Sequence, residues 1–354
     1  GSVGREGPIV LIGSAIGSTR GHGLKVSADR IRTLLGCGAA AGIAATFNAP
    51  IAGSMFALEI VLGDFGLATF SPIVISSVAA TAVSRYFLGD APAFIVPGYD
   101  LISAWELPLY VVLGLFCALV GATFTKVLYR LEDLFDGLKF PEYLKAVLGG
   151  LILGAMALVF PHLLGVGYEA IDLALIQELS WWLMFLLVLC KILATSVTIG
   201  SGGSGGIFAP SLFMGAMAGG FFGTGVHSIF PGITASPGAY SIVGMGAVVS
   251  ATTHGPLSAI LILFELTGDY KIILPLMIAC IIGSLASRQL LKESIYTLKL
   301  ARRGVNIRSG KEVNVLKSIA VKDVMNPVVE TIPENLSLGK FAEKISNSKY
   351  NSFP

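Results

Sequence analysis

Charged residues are scarce in this sequence. Only 13% of its 354 residues are Asp, Glu, Lys or Arg, against roughly 25% in an average soluble domain. Hydrophobic residues make up 54%, and the mean hydropathy is +0.79. This balance excludes an ordinary soluble globule and predicts an all-α protein that crosses a membrane several times. A net charge of +2 provides no basic surface for nucleic acid, so no nucleic-acid partner is expected.

Groups that build catalytic or metal sites are also rare. The cysteines lie far apart in apolar runs, without a CxxC pair or a His at ligand spacing, so we interpret them as packing thiols. No paired Asp, activated Ser or His-Glu cluster lies in an apolar segment, which leaves an intramembrane enzyme as a remote alternative. The glycine-rich run at 200–206 lacks the ending of a phosphate loop, and His254 is predicted only to cap its turn. We therefore expect no cofactor, metal or catalytic residue. The four cysteines are Cys37, Cys117, Cys190 and Cys280.

Long apolar stretches, in contrast, recur along the chain. Five are long enough for membrane spans, and five more are shorter or interrupted by Gly and Pro, so these cannot all be simple spans. Broken helices are tolerated in a membrane only where they line a cavity, which is typical of transporters. The clear candidates are 107–130, 145–160, 181–199, 210–229 and 271–287; the interrupted ones are 31–47, 50–63, 72–88, 238–251 and 256–266.

The chain also contains an internal repeat. One copy reads FNAPIAGSMFALEIVLGD around Pro50, and the other reads THGPLSAILILFELTGD around Pro256. In each copy the proline precedes a glutamate, Glu59 or Glu265, by nine residues, and Gly-Asp closes the motif. Related halves with interrupted helices at matching places predict a substrate site near the middle of the membrane.

A second pair of matching prolines lies upstream. Pro8 and Pro210 end glycine-rich stretches, 42 and 46 residues before the prolines of the repeat. The second copy is preceded by an apolar block at 107–205 that has no counterpart before Pro8. We therefore expect a comparable block to precede Gly1.

The two glycine-rich stretches predict where the chemistry lies. Because proline is favoured in the first turn, helices are expected to begin at about Pro8 and Pro210. Free N–H groups and the helix dipole make each start attractive to anions, and two starts at one place would form an anion site without a lysine. Such a site suits permeation, since a full positive charge would hold the ion too tightly. The residues of these stretches are Gly4, Arg5, Glu6, Gly7 and Pro8, and Gly205, Gly206, Ile207, Phe208 and Pro210.

Glu6 is the ionisable group at the first of these helix starts. A titratable group at membrane depth is costly and usually functional. As a carboxylate it could occupy the anion site, and when protonated it could leave, which would couple pH to permeation. The alternative is that Glu6 only caps the helix and pairs with Arg5.

Four segments resemble the signature segments of the chloride channel and chloride/proton exchanger family. They are GREGP at 4–8, FNAP at 47–50, GGIFAPSLFMGAMAG at 205–219 and IYTLKLARRG at 295–304. The resemblance runs in order over nearly all of 1–305. It implies a transmembrane domain at 1–305 that lacks its N-terminal helices, with an antiparallel two-repeat architecture built on broken helices. It also implies a homodimer with one pathway for chloride or a similar small anion in each subunit.

The same resemblance implies roles for particular residues. Glu6 matches the family's external gating glutamate. The backbone amides of Ile207 and Phe208 match the pair that coordinates chloride. Tyr296 matches the tyrosine whose hydroxyl donates to the central ion.

Two departures from the family pattern affect function. The first ion-binding motif, a GSGIP-like loop, would lie before Gly1, so the preference between chloride and nitrate stays open. Ile60, which follows Glu59, occupies the position of the internal proton-accepting glutamate, and isoleucine carries no proton. This predicts a channel-like or weakly proton-coupled transporter. The alternative is an antiporter with a relocated acceptor, such as Glu59. Glu59 and Glu265 are themselves predicted to make structural hydrogen bonds.

The C-terminal part differs in composition. A basic run at 300–311 follows the last apolar segment and predicts a cytoplasmic C-terminus, in the plasma (inner) membrane of a prokaryote. After a linker at 306–318, the segment 319–354 resembles the opening of a CBS domain, an incomplete α/β module. Turn signals stand at Asn326-Pro327 and Pro333-Glu334. We expect the chain to be a piece that is truncated at both ends.

Overall fold

Helices form nearly all the regular structure of the chain. The computed structural model describes residues 1–90, 102–305, 307–308, 311–312 and 331–347. The chain divides into two units, Gly1–Lys311 and Glu312–Pro354. The α-helices are α1 (Glu6–Gly23), α2 (Ala28–Phe47), α3 (Pro50–Phe56), α4 (Leu67–Leu88), α5 (Leu107–Gly137), α6 (Glu142–Val159), α7 (Tyr168–Leu175), α8 (Trp181–Gly200), α9 (Phe208–Ile229), α10 (Pro237–Thr253), α11 (Pro256–Thr267), α12 (Ile273–Leu290), α13 (Thr297–Arg302) and α14 (Leu338–Asn347).

Shorter elements connect these helices. A π-helix, Ala57–Leu62, continues α3, and 3₁₀ turns precede or follow several helices. The turns are Ala104–Glu106, Pro161–Leu163 and Tyr270–Ile272, and two two-residue strands are β1 (Ile307–Arg308) and β2 (Lys311–Glu312).

Among the described residues, six helices are long and apolar enough to cross a membrane. Five contain the clear candidate spans of the sequence, which confirms those predictions. The sixth is α4, which runs unbroken through Pro72, so one of the interrupted segments is long enough to span. The protein is a multi-pass membrane protein. The six are Leu67–Leu88, Ala104–Gly137, Glu142–Val159, Trp181–Gly200, Phe208–Ile229 and Tyr270–Leu290.

Helix α10 forms the centre of the membrane unit. All 17 of its residues are buried. This apolar helix is therefore surrounded by other parts of the protein on every side. It packs tightly against α9, where a Cβ on Gly215 or Gly244 would collide with the carbonyl oxygen of the other residue. Small residues at such crossings let two backbones approach and pack without side chains between them.

Glu59, at the end of the first repeat, caps a helix of the second repeat. Its carboxylate oxygens accept hydrogen bonds from the backbone N–H groups of Leu257 (3.1 Å) and Ser258 (2.6 Å) at the start of α11. The Ser258 hydroxyl donates a further bond of 2.6 Å. The N-terminal N–H groups of α11 thus obtain the acceptors that the helix cannot supply itself.

Glu265 makes the reciprocal cap. Its oxygens accept from the N–H groups of Ile51 (3.0 Å) and Ala52 (2.6 Å) at the start of α3. The C-terminal end of each short helix therefore lies at the N-terminal end of the other, so the two copies run antiparallel. The prediction of structural hydrogen bonding for Glu59 and Glu265 is confirmed.

Other interactions recur at matching places in the two repeats. Asn48 and His254 end α2 and α10 in the left-handed region, with φ of 57° and 58°. His254 is thus a helix cap, as predicted. Glycines with φ of 59° and 63°, Gly63 and Gly268, end the following short helices. Serine hydroxyls repeat a further contact: Ser84 donates to the carbonyl of Ala45 and Ser287 to that of Ala251.

The C-terminal unit contains α14 and the turn before it. The N–H of Leu336 donates to the carbonyl of Pro333 at 3.1 Å, which confirms the turn predicted at Pro333-Glu334. The turn signal at Asn326-Pro327, most of the linker at 306–318 and the first part of the segment 319–354 lie outside the described residues.

Candidate functional site

The two glycine-rich stretches meet. The N–H of Gly4 donates to the carbonyl of Gly206 at 2.8 Å, and the N–H of Gly206 donates to the carbonyl of Gly4 at 2.6 Å. This antiparallel bridge connects the residues just before α1 with those just before α9. The start of each helix is thereby held beside the start of the other.

The helices begin two residues earlier than the sequence predicted. Helix α1 begins at Glu6 and α9 at Phe208, rather than at Pro8 and Pro210. Each proline is therefore the third residue of its helix, where a missing N–H is still harmless because the first-turn N–H groups have no intrahelical partner. As a result, Glu6 lies inside the first turn of α1.

Glycine is required where the two stretches touch. A Cβ on Gly7 would lie 2.9 Å from Cα of Gly206, and a Cβ on Gly206 would lie 2.6 Å from the backbone nitrogen of Gly7. A Cβ on Gly4 would collide with the Glu6 carboxyl, and one on Gly205 with the side chain of Val3. Any side chain at the Gly7–Gly206 contact would push the two helix starts apart.

Glu6 is buried at the centre of this arrangement, with 1% of its surface exposed. Neither carboxyl oxygen has a well-formed hydrogen bond to any described residue. Its own N–H, the N–H of Ala209 and the hydroxyl of Tyr168 face it. In the described structure the exposed Arg5 makes no ion pair with Glu6. A buried carboxyl at a helix start is a candidate functional group, and the Arg5 pairing of the alternative interpretation is not seen.

The amides at the start of α9 are available as donors. Among the described residues, no acceptor takes the N–H of Ile207 or Phe208. Both residues are buried, and the Phe208 ring contacts those of Phe47 (5.5 Å between centroids) and Phe56 (6.0 Å). The positive end of the α9 dipole is therefore buried beside aromatic rings, where an anion would benefit from it.

Tyr296 completes the cluster. It directly precedes α13, and its hydroxyl is close enough to the Glu6 carboxyl for the two to interact electrostatically. The fold therefore brings together Glu6, the start of α9 and Tyr296, which are far apart in the sequence.

Ile60 lies elsewhere. It belongs to the π-helix that continues α3 and packs on the backbone before α11, since a Cβ on Gly255 would lie 2.8 Å from the Ile60 side chain. None of the described contacts joins it to the groups around Glu6.

Sequence reasoning missed Tyr168. This tyrosine begins α7, directly after Gly167, and its hydroxyl faces Glu6. No local pattern could have indicated the contact, because α7 and α1 are brought together only by the tertiary fold.

The chain is similar in sequence to known proteins. The family model described as "Voltage gated chloride channel" matches residues 1–288. A ClcB-like chloride channel protein of Ralstonia nicotianae is 41% identical over 305 residues, which are 85% of this chain and 71% of the relative. The H(+)/Cl(-) exchange transporter ClcA of Citrobacter koseri is 35% identical over 312 residues, and the match spans 85% of this chain and 65% of ClcA.

A solved structure has the same fold. The crystal structure of a slow cyanobacterial Cl-/H+ antiporter superposes with a TM-score of 0.76 at 30% sequence identity, over 85% of this chain and 72% of the antiporter chain. Sequence match, fold and the paired helix starts thus lead to the same conclusion. The chain belongs to the voltage-gated chloride channel family.

Proposed function

We propose that this protein carries chloride or a similar small anion across a bilayer, along a pathway that passes the paired helix starts and is gated by Glu6. The observation that carries the proposal is the bridge between Gly4 and Gly206, which holds two helix N-termini together around one buried carboxyl. Relatives named as chloride channel protein and exchange transporter support the choice of anion.

In this proposal the ion is held by dipoles. The N–H groups of Ile207 and Phe208 donate to the anion from one side, and the Tyr296 hydroxyl donates from another. Each helix start contributes roughly half a positive charge, which attracts an anion without holding it as a lysine would. Gly4, Arg5, Gly7 and Pro8, together with Gly205, Gly206 and Pro210, form the backbone that aims these dipoles.

Glu6 acts as the gate. As a carboxylate it competes with the anion for the same donors, and when protonated it loses that attraction and leaves the pathway. No ion pair with a Lys or Arg of the described residues holds the carboxyl in place, which favours such movement. The titratable or charged groups that face it are Tyr168, Tyr296 and Arg5.

We propose channel-like or weakly proton-coupled transport. Ile60 stands at the position where the family resemblance implies the internal proton-accepting glutamate, and isoleucine has no carboxyl group. Protons need titratable groups or water to cross an apolar interior. Both oxygens of Glu59 are engaged at the start of α11, so proton uptake there would remove an acceptor from N–H groups that have none within their own helix.

A second candidate is a chloride/proton antiporter. Its support is that several sequence relatives, ClcA of Citrobacter koseri among them, are named exchange transporters, and that the cyanobacterial structure is named an antiporter. In that case Glu59 or ordered water would hand protons inward past Ile60.

We further propose a homodimer with one pathway in each subunit and a C-terminus on the cytoplasmic side of a prokaryotic plasma membrane. The supports are the family resemblance and the basic residues after α13. We propose residues 1–305 as the transmembrane domain, 306–318 as a linker and 319–354 as part of a CBS module.

The first test measures chloride efflux from liposomes that contain the full-length protein, over a range of external pH. We expect wild-type efflux to depend on pH and the Glu6→Gln variant to conduct without that dependence, because glutamine imitates the protonated side chain. Glu142→Gln is the matched control, since Glu142 is an exposed acid at the start of α6, and it should behave like wild type.

Absence of chloride efflux from the wild type would contradict anion transport. An unchanged pH profile in Glu6→Gln would contradict the gating role.

A further inference from the structure

Tyr129 is a buried tyrosine in the C-terminal half of α5. Only 4% of its surface is exposed, and its hydroxyl donates a short hydrogen bond of 2.6 Å to the carbonyl of Ile295. Ile295 directly precedes Tyr296. The bond therefore fixes the peptide unit that joins Ile295 to the tyrosine of the anion site.

The other side of the same residue is held by α10. The N–H of Ile295 donates to the carbonyl of Thr252 at 2.9 Å. The Thr252 hydroxyl lies 3.4 Å from that of Ser211 on α9, and the Ser211 hydroxyl donates to the carbonyl of Ile207 at 2.8 Å. Contacts thus lead without interruption from the segment before Tyr296 to the start of α9.

The helix that follows Tyr296 is attached to the same part of α5. Lys299 pairs with Glu132 and Arg302 with Asp133, each at 2.7 Å. The Arg302 guanidinium also lies over the Tyr129 ring, 4.7 Å from its centroid. These ion pairs are exposed and screened, so each contributes little alone. The buried hydrogen bond from Tyr129 to Ile295 is therefore the main contact that holds this segment against α5.

The Tyr296 side chain packs against the buried core, but the helix that follows it adds little support. Helix α13 has six residues, and none of them is buried. A hydroxyl that must donate to an ion in one direction performs best when neighbouring groups hold it in place beforehand. Tyr129 and Thr252 hold the adjacent backbone from two sides.

We propose that Tyr129 is a positioning residue for the anion site, which sets the direction of the Tyr296 hydroxyl through the Ile295 carbonyl and so tunes anion affinity and selectivity. The inference rests on the proposed function, in which Tyr296 donates to the ion. Tyr129 itself touches no ion.

The test compares Tyr129→Phe with Tyr296→Phe in the purified whole protein. Phenylalanine keeps the ring beneath Arg302 and removes only the hydroxyl. Chloride binding is measured by isothermal titration, and the chloride-to-nitrate permeability ratio is taken from reversal potentials. We expect Tyr129→Phe to weaken chloride binding by about threefold to tenfold, the size of one hydrogen bond. The permeability ratio should shift in the same direction as in Tyr296→Phe, and the double variant should show no further shift.

Tyr110→Phe is the matched control. Tyr110 is another buried tyrosine of α5, whose hydroxyl donates to Glu106 at 3.2 Å. Its loss should lower thermal stability without changing selectivity. Equal shifts in Tyr129→Phe and Tyr110→Phe would show a merely structural role and overturn the inference.

The remaining outcomes separate the inference from the proposed function. Wild-type affinity and selectivity in Tyr129→Phe, with altered values in Tyr296→Phe, would overturn the inference and leave the anion site intact. No change in Tyr296→Phe would overturn both. If Tyr129→Phe does not fold, Asp133→Asn removes the partner that seats Arg302 on the ring. We expect a smaller selectivity shift of the same sign, and a wild-type ratio would contradict the inference.

Discussion

The two repeats of this protein share their caps but not the helix between them. In the second repeat, α11 remains an α-helix to its end, whereas in the first repeat α3 turns into the π-helix Ala57–Leu62. The sequence explains the difference, because the first repeat has one more residue between its capping glutamate and its closing glycine. Residues 60–62 separate Glu59 from Gly63, and residues 266–267 separate Glu265 from Gly268.

The comparison shows how the fold absorbs an insertion. Glu59 is fixed to the start of α11, and Gly63 is fixed as a left-handed cap, so neither end can shift along the helix. A wider π turn accommodates the added residue between them, and such turns are frequent at functional sites. Ile60 lies within this turn, at the position where the family resemblance puts the internal proton acceptor. The asymmetry of the repeats therefore coincides with the position on which the proposed weak proton coupling rests.

The largest effect on chloride efflux is expected from a substitution where the two glycine-rich stretches touch. Gly206→Ala should lower chloride efflux by about tenfold or more, because the added methyl separates the helix starts that aim the dipoles. Gly225→Ala is the control, since a Cβ there meets nothing within 4 Å. Efflux from liposomes is the measurement, with fluorescence size exclusion to check folding. Wild-type efflux in Gly206→Ala would show that the close contact is not required.

The two reciprocal caps, Glu59 and Glu265, should contribute unequally to the stability of the protein. We expect Glu59→Ala to lower the free energy of unfolding by about 1.5 to 3 kcal/mol, the range for hydrogen bonds to a charged group. Glu265→Ala should cost less, because Glu59 accepts an additional bond from the Ser258 hydroxyl. Unfolding in mixed micelles measures both. A larger loss for Glu265→Ala would contradict the ranking.

Much of the fold was readable from local patterns. Hydropathy located the five clear spans, and the matching proline–glutamate spacing revealed the repeat. The extra residue between Glu59 and Gly63 was also visible in the sequence. That it produces a π-helix could not be predicted, because this depends on tertiary contacts that fix both residues. The helix starts were predicted two residues late because proline tolerates any position in the first turn.

Contacts between distant segments could not be predicted in this way. The sequence showed that the two glycine-rich stretches have similar patterns, but their contact through the Gly4–Gly206 bridge could be seen only in the folded structure. Tyr168 and Tyr129 carried no local signal, because each acts on a residue from another part of the chain. Single-sequence patterns report the face and length of a helix, whereas these partners are set by packing.

The most direct test of the account uses the reversal potential under combined chloride and proton gradients, for the wild type, Ile60→Glu and Ile60→Gln. We predict that the wild-type potential follows the chloride gradient with little dependence on the proton gradient. Ile60→Glu should raise proton flux while anion flux continues, and Ile60→Gln, which has similar size but carries no proton, should not. Steady uphill proton uptake by the wild type, driven by an outward-directed chloride gradient, would contradict the account and establish the antiporter.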